Sequence, residues 1–530
     1  METAMLRTVL LVAAELLAQT ALLQAADQPQ WGDRDSRNMV SAEKGLPQWF
    51  DPGQRTPDGD IDLATTKNVR WVARLGDPSY GSPIVAGGKV FVGTNNEVPR
   101  DSRMQGDRGV MMCFDEQTGE YLWQLNCPKL EEVKYGDWHY VGMPSPPTVE
   151  NGRAYAVTNR CEVVCLDVEG MVNGNQGPYR DEGQHMAGPG QKPLEPGAKD
   201  ADILWRFDMV KELGVQPHNA SNCSILLHGD LLYVCTSNGV DWTHSFVSNP
   251  AAPTAIVLNK NTGKLVAKDD FGIGKEIIHG QWSSPALGEV HGKKLVFFGG
   301  GDGVCYAFEA LAESPADPLR LKTAWSFDCN PSEYKEFGGL DWATHYSLGD
   351  RRLKKSLNKQ SDPNFVGMSE IIATPVFYKN RVYVAIGRDP EHGRGKGALW
   401  CIDATKSGDI TQTGCVWSYK DLDRTLSTVS IADGLLYIAD VAGRIHCLDA
   451  ETGRRQWIYE TKAETWASTL VADGKVYLGT QKQLFVLAAG KEAKLLAKIN
   501  LGAPMWASPV AANGVLYIPT TRYLWAVSPK

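Results

Sequence analysis

Three segments of the chain carry the same small set of reactive side chains: Asp137-Trp138-His139, Asp241-Trp242-Thr243-His244 and Asp341-Trp342-Ala343-Thr344-His345. A carboxylate and an imidazole a few residues apart can ligate a divalent metal or act as an acid–base pair. The indole between them offers a stacking face to a flat ligand. On this reading Asp137, His139, Asp241, His244, Asp341 and His345 are candidate metal ligands. The competing reading is architectural: Asp and Trp anchor long loops, and each His finds a local partner. Other candidates sit at strand ends. Asp302 (Gly300-Gly301-Asp302) and the pair Arg388-Asp389 begin loops directly after strands, Asn222 closes His218-Asn219-Ala220-Ser221-Asn222, and Trp282 closes Gly280-Gln281-Trp282 just before a strand. The sequence contains no phosphate-binding loop, no H-E-x-x-H, no G-x-S-x-G and no C-x-x-C, so none of the chemistries those motifs carry is signalled.

What must position these residues is a repeat. A chain of 530 residues has room for about three ordinary domains, but self-similarity replaces that count. STVSIADGLLYIAD, ASTLVADGKVYLGT and ASPVAANGVLYIPT place Gly434, Gly474 and Gly514 at intervals of 40. Each copy is a short apolar strand, an Asp-Gly or Asn-Gly turn suited to a tight hairpin, and an alternating strand. The unit recurs upstream around Gly88, Gly152, Gly229 and Gly292, and around Asn380, which stands at the glycine position, making eight copies. A third strand and a fourth follow each, joined by turns such as FDEQTGEYLW, and the fourth often carries Trp: Trp123, Trp205, Trp325, Trp417 and Trp457. Four antiparallel strands repeated radially predict an all-β, eight-bladed β-propeller. The chain stops after the third strand of the eighth unit, and VRWVARL at 69–75 supplies the missing fourth, which removes the open edges of a linear array. The propeller is thus expected over 69–530, preceded by a segment, 27–68, packing on it.

Strand order also assigns loops to rims. The long loops 95–110, 127–144, 208–222, 237–254, 270–283, 329–371 and 387–398 fall on one rim, and the Gly/Pro-rich insertion 170–201 on the other. Six of the ten histidines lie on the first rim: His139, His218, His244, His279, His345 and His392. Elaborated loops on a rigid scaffold are where binding and catalysis concentrate, so the first rim is the expected functional face. Trp282, Trp466 and Trp506 each precede an innermost strand, where they can line the mouth of the central channel.

Composition limits the partners. With 54 basic against 62 acidic residues the net charge is -8, which argues against nucleic acid. Residues 1–26 run from Arg7 through an apolar stretch to Ala25 and Ala26, the pattern of a secretory signal peptide, so a periplasmic or secreted location is expected. No Cys precedes Cys113 and no later stretch is long and apolar enough to span a bilayer, so neither a lipid anchor nor a membrane span is expected. A monomer is expected. Of eleven cysteines, Cys113, Cys165, Cys401 and Cys447 occupy one equivalent repeat position; they are predicted to be small buried packing residues rather than a disulfide framework.

The repeat S-P-x-V-x-x-G-x-x-Y followed by L-D-A-x-T-G-x-x-x-W resembles the pyrroloquinoline quinone (PQQ) repeat over residues 69–530, and QWGDRDSRNMVSAEKGLP resembles the N-terminus of exported bacterial proteins with this repeat. The superfamily includes quinoprotein alcohol dehydrogenases and the BamB-type scaffold of outer-membrane assembly. The resemblance implies two functions: a binding platform that holds a protein or small-molecule ligand on its rim, or a dehydrogenase oxidising an alcohol or sugar with PQQ and Ca²⁺. For the second, it implies a carboxylate base, for which Asp302 and Asp341 are candidates, and cofactor contacts from Trp282, Asn222, Arg388 and Asp389. No flanking motif matches that family residue by residue, and its adjacent cysteine pair is absent. A third expectation is a metal-dependent hydrolase or lyase on the same rim. The platform ranks first.

Overall fold

The computed structural model describes residues 26–244, 246–337, 340–341, 367–389 and 395–529; the stretch 1–25, expected to belong to a signal peptide, and the rim histidines His345 and His392 lie outside them. Eight four-stranded antiparallel blades form the ring. Their innermost strands are Ile84–Ala86, Thr148–Glu150, Leu226–His228, Ala286–Val290, Val376–Tyr378, Ser430–Ala432, Leu470–Ala472 and Val510–Ala512, for blades 1 to 8. Blade 8 takes its outer strand from the front of the chain, with Val69–Arg74 antiparallel to Tyr523–Val527 and Trp71 opposite Ala526. Each Asp/Asn-Gly hairpin does what the spacing demands: Asp473 and Gly474 both have positive φ, +49° and +67°, the backbone of a tight turn whose twist matches the strands.

The repeat also explains its own cysteines and tryptophans. Every blade has a register shift in its third strand at one equivalent position, between Cys113 and Phe114, Cys165 and Leu166, Cys401 and Ile402, or Cys447 and Leu448 in four of them. The residue at that bulge faces the outer-strand position. Where the outer strand carries Trp, its partner is small: Trp123 opposite Cys113, Trp205 opposite Cys165, Trp325 opposite Ala307, Trp417 opposite Cys401 and Trp457 opposite Cys447. Where it carries Ala267 or Ala497, the partner is Val257 or Val486. The pair holds its volume, as close packing requires. Trp71, Trp123, Trp205, Trp417 and Trp457 each donate Nε1–H to a carbonyl of the next blade, so the ring joints are both apolar and hydrogen-bonded. All eleven cysteines are free, and only Cys415 is exposed.

The segment before the ring is built into it. Running from Gln28 to Ser41, it bonds in turn to the innermost strands of seven blades and to the approach of the eighth. The N–H groups of Val85, Val149, Leu287, Phe377 and Val471 donate to the carbonyls of Gln28, Pro29, Asp35, Ser36 and Met39. Asn38 exchanges two bonds with Ile431, Ser41 donates to the Ala511 carbonyl, and Arg37 reaches Ser224. Val40–Ser41 adds a parallel strand to Leu470–Ala472. The chain therefore crosses the propeller axis and closes one end of the central channel. Among the described residues no helix is long and apolar enough to cross a membrane.

Candidate functional site

The closed channel leaves a cup of about 480 Å³ that opens on the elaborated rim. Its residues stand just before the innermost strands, while the axial segment lies farther along those strands, so Trp31 of that segment forms the base. Around the wall runs a belt of hydroxyls. The N–H groups of Ser224, Thr374, Thr428, Ser468 and Ser508 each donate to the Ser or Thr hydroxyl at the same place in the next blade: Ser284, Thr428, Ser468, Ser508 and Ser82, at 2.9 to 3.0 Å. These backbone groups face the channel, where no neighbouring strand can satisfy them; the hydroxyl does so instead.

Above the belt the wall is aromatic. Trp466 and Trp506 stack with centroids 4.4 Å apart at 21°, and Tyr80 lies parallel to Trp466 at 6.0 Å. Trp282 is pinned by donation from Nε1 to the Ala220 carbonyl at 3.0 Å. Trp138 and His139 enter from the blade 1–2 loop, and Asn219, Asn222 and Asp389 add polar atoms. Among the described lining residues Asp389 is the one carboxylate, and there is no Lys or Arg.

The nominated residues divide clearly. Trp282, Asn222, Asp389 and His139 line the cup. Arg388 and Asp302 do not. Arg388 is fully buried with Nε 3.8 Å from Glu370 Oε2. Asp302 accepts from the Tyr306 hydroxyl at 2.6 Å and from Val304 N at 3.0 Å, and burial pushes its carboxyl up to about 7. Asp137 accepts from Lys129 Nζ at 2.6 Å and Asn159 Nδ2 at 2.8 Å, bonds that tie down its loop. Asp241 accepts from Thr243 N, Thr243 Oγ1 and Phe246 N, which shapes the turn that carries His244. Asp341 pairs with Glu336 in a two-residue hairpin strand; the Asp341 side chain, like His345, lies outside the described part of the structure.

His244 meets two histidines that the triplet pattern did not group with it. His218, His244 and His279 come from three loops, and their candidate ligand atoms all lie within 4.8 Å of one another. His218 Nε2 is 3.1 Å from His244 Nε2, and His279 packs edge-on to Trp282 at 5.2 Å. Burial, with His244 alongside, pushes the His218 imidazole down to about 4. Glu370, buried and pushed up to about 7 by burial against the opposing pull of Arg388, lies 4.0 Å from His279 Nδ1. The only sequence signal for this group was the crowding of histidines on one rim. The hydroxyl belt was visible as the recurring Ser/Thr in GSP, SSP, ATP, STV, AST and ASP before six of the eight inner strands.

Comparison with known proteins agrees with the fold. A family model described as outer membrane protein assembly factor BamB matches residues 345–459 and 394–498. No curated protein matches the sequence. The structure of BamB from Moraxella catarrhalis superposes with a TM-score of 0.51 at 12% identity, over 87% of this chain and 97% of that one. A europium-containing methanol dehydrogenase superposes with a TM-score of 0.55 at 12% identity, over 93% of this chain and 89% of that one. At such identity the likeness carries the fold and no activity. With eight blades and the repeat in hand, the chain is an eight-bladed β-propeller whose repeats over residues 345–498 are similar to those of the matched family.

Proposed function

We propose that the protein is an exported binding platform whose rim cup holds a small, flat-faced, uncharged or cationic ligand, with saccharides the leading class. The observation that carries this is the lining of the cup: stacked indoles, amide and hydroxyl groups, and one carboxylate, above a base closed by the protein's own N-terminal segment. Indole faces pack against the C–H face of a sugar ring, and Asn219, Asn222 and Asp389 can bond its hydroxyls. A second or third aromatic face around a cation would serve equally.

The donor set disfavours the quinoprotein reading. PQQ carries three carboxylates, and recognition of such an anion in a low-dielectric pocket calls for guanidinium or ammonium partners. Among the described residues the cup presents none, and Asp389 would repel the anion. Asn222 and Asp389 offer oxygens suited to Ca²⁺, but the rest of the wall does not fit the cofactor, and no oxidation step follows from it.

The test is a titration of intrinsic tryptophan fluorescence and a thermal-shift screen on the full chain, using neutral saccharides, quaternary ammonium compounds, and PQQ with Ca²⁺. Saturable quenching by a saccharide or cation supports the proposal. A shift with PQQ and Ca²⁺ alone, or no response to any member, overturns it.

A further inference from the structure

The three-histidine group stands apart from the cup's ligand chemistry and points to a second site. His218 and His279 are buried and His244 is half-buried. The geometry of His218 fixes its tautomer. Its Nδ1 lies 2.9 Å from the Val240 carbonyl; a carbonyl only accepts, so Nδ1 carries the proton and Nε2 of the neutral ring is a bare lone pair. That lone pair faces His244 Nε2 at 3.1 Å. Two nitrogens on a tetrahedral metal at ~2.0–2.1 Å are ~3.3 Å apart, so the observed spacing needs almost no adjustment to admit an ion. The Val240 carbonyl is the kind of outer partner that orients a ligating imidazole.

The loop bearing His244 is shaped for this placement. His244 has φ +56°, a left-handed backbone that an ordinary residue adopts only when its surroundings impose it. They do so here: Asp241 gathers Thr243 and Phe246 through three bonds, and His244 N donates to the Asp241 carbonyl. The imidazole is thereby brought over His218 and His279, with ring centroids 4.5 and 5.0 Å away.

We propose that His218, His244 and His279 form a binding site for a first-row transition metal dication of the zinc class, held by three nitrogens beside the cup. Neutral imidazoles suit Zn²⁺ and its neighbours rather than Ca²⁺ or Mg²⁺. Three protein ligands leave one tetrahedral position to water, the form found in ions that activate water. The site does not depend on what the cup binds. A second convergence, Cys127, Glu162 and His185, has a different character: Arg206 and Arg160 lie 2.6 and 3.5 Å from the Glu162 carboxylate, and these fixed positive charges already neutralise it and repel a cation.

The experiment uses the full chain, without a histidine tag, stripped with a chelator and titrated with Zn²⁺ and with Co²⁺. The expected result is about one equivalent per chain and a visible ligand-field band of low-coordinate Co²⁺. His244→Ala, at the half-buried position, should weaken binding by at least ~100-fold, while metal-free unfolding stays near wild type. His218→Gln provides a second test that preserves most of the side-chain volume. His291→Ala, on the remote blade 4 hairpin, should bind as wild type. Absence of stoichiometric binding at micromolar metal overturns the proposal and leaves a simple His–His hydrogen bond. So does undiminished binding by folded His244→Ala.

Discussion

Replacing Arg37 by Ala tests whether the N-terminal segment is a structural part of the cup. The guanidinium is fully buried on the propeller axis. It donates to the carbonyls of Trp31 at 2.9 Å, Pro285 at 2.9 Å and Ser224 at 3.0 Å, and more weakly to the Ser224 hydroxyl. Burial pushes it down to about 10, against an ordinary value near 12.5, so holding the cation costs ~3 kcal/mol at ~1.4 kcal/mol per pH unit. Removing the side chain recovers that cost. Against it stand three buried carbonyls left without donors, at ~1–3 kcal/mol each, and the apolar stem, at ~1–2 kcal/mol. The expected net loss is ~3–5 kcal/mol. Denaturant unfolding followed by tryptophan fluorescence measures it, and limited proteolysis reports release of residues 26–46. Because the Trp31 carbonyl is one of the acceptors, affinity for any cup ligand should fall as well. A stability loss under ~1 kcal/mol with the segment still protected would refute this account. Lost stability with unchanged ligand affinity would separate the segment from the cup.

Three further outcomes are expected. Trp466→Ala removes the indole stacked between Tyr80 and Trp506 and should weaken a cup ligand by ~10- to 100-fold, read by titration with the ligand found in the screen, while Trp49→Ala, at an exposed site away from the cup, should not. Asp302→Asn should show a pH-dependent gain. The carboxyl stands at about 7 when folded and near 4 when unfolded, so below pH ~4 both states are protonated, and as pH rises to ~7 the unfolded state ionises first and the native state loses up to ~4 kcal/mol; Asn escapes this penalty, and parallel stability profiles at pH 4.5 and 8 would contradict it. Ser508→Ala leaves the Ser468 N–H without its acceptor in the hydroxyl belt and should cost ~1–2 kcal/mol in the unfolding midpoint.

How much of this was legible in the chain depends on the range of the interaction. The hairpin turns were readable from Asp-Gly and Asn-Gly because φ > 0 is a local demand, and Asp473-Gly474 meets it within two residues. The Trp71 strand completing blade 8 was readable because the unpaired edge of a repeat announces what is missing. The recurring Cys was read correctly as packing, but its reason is a pairing across strands: a small residue opposite each outer Trp. In the two Asp-Trp-His triplets that lie within the described residues, nearness along a loop does not bring the Asp and His side chains to one point. Asp137 turns to Lys129 and Asn159, and Asp241 turns to its own loop, while His244 meets His218 and His279 from other loops.

The sequence by itself determined the blade, the number of blades and the closure, since each is fixed by turn chemistry, strand alternation and repeat count. It also marked the rim on which histidines and long loops collect. Only the tertiary structure decided that Gln28 to Ser41 crosses the axis and turns a channel into a cup, and that Trp31 joins Trp282, Trp466 and Trp506, already readable as channel-mouth residues, in its lining. The same holds for the convergence of three imidazoles within one ion's reach. The physical reason is that blade formation uses contacts between residues near in sequence, whereas the axis is where eight separate blades meet. What gathers there depends on ring geometry, and a segment some 400 residues away in the chain can supply its base.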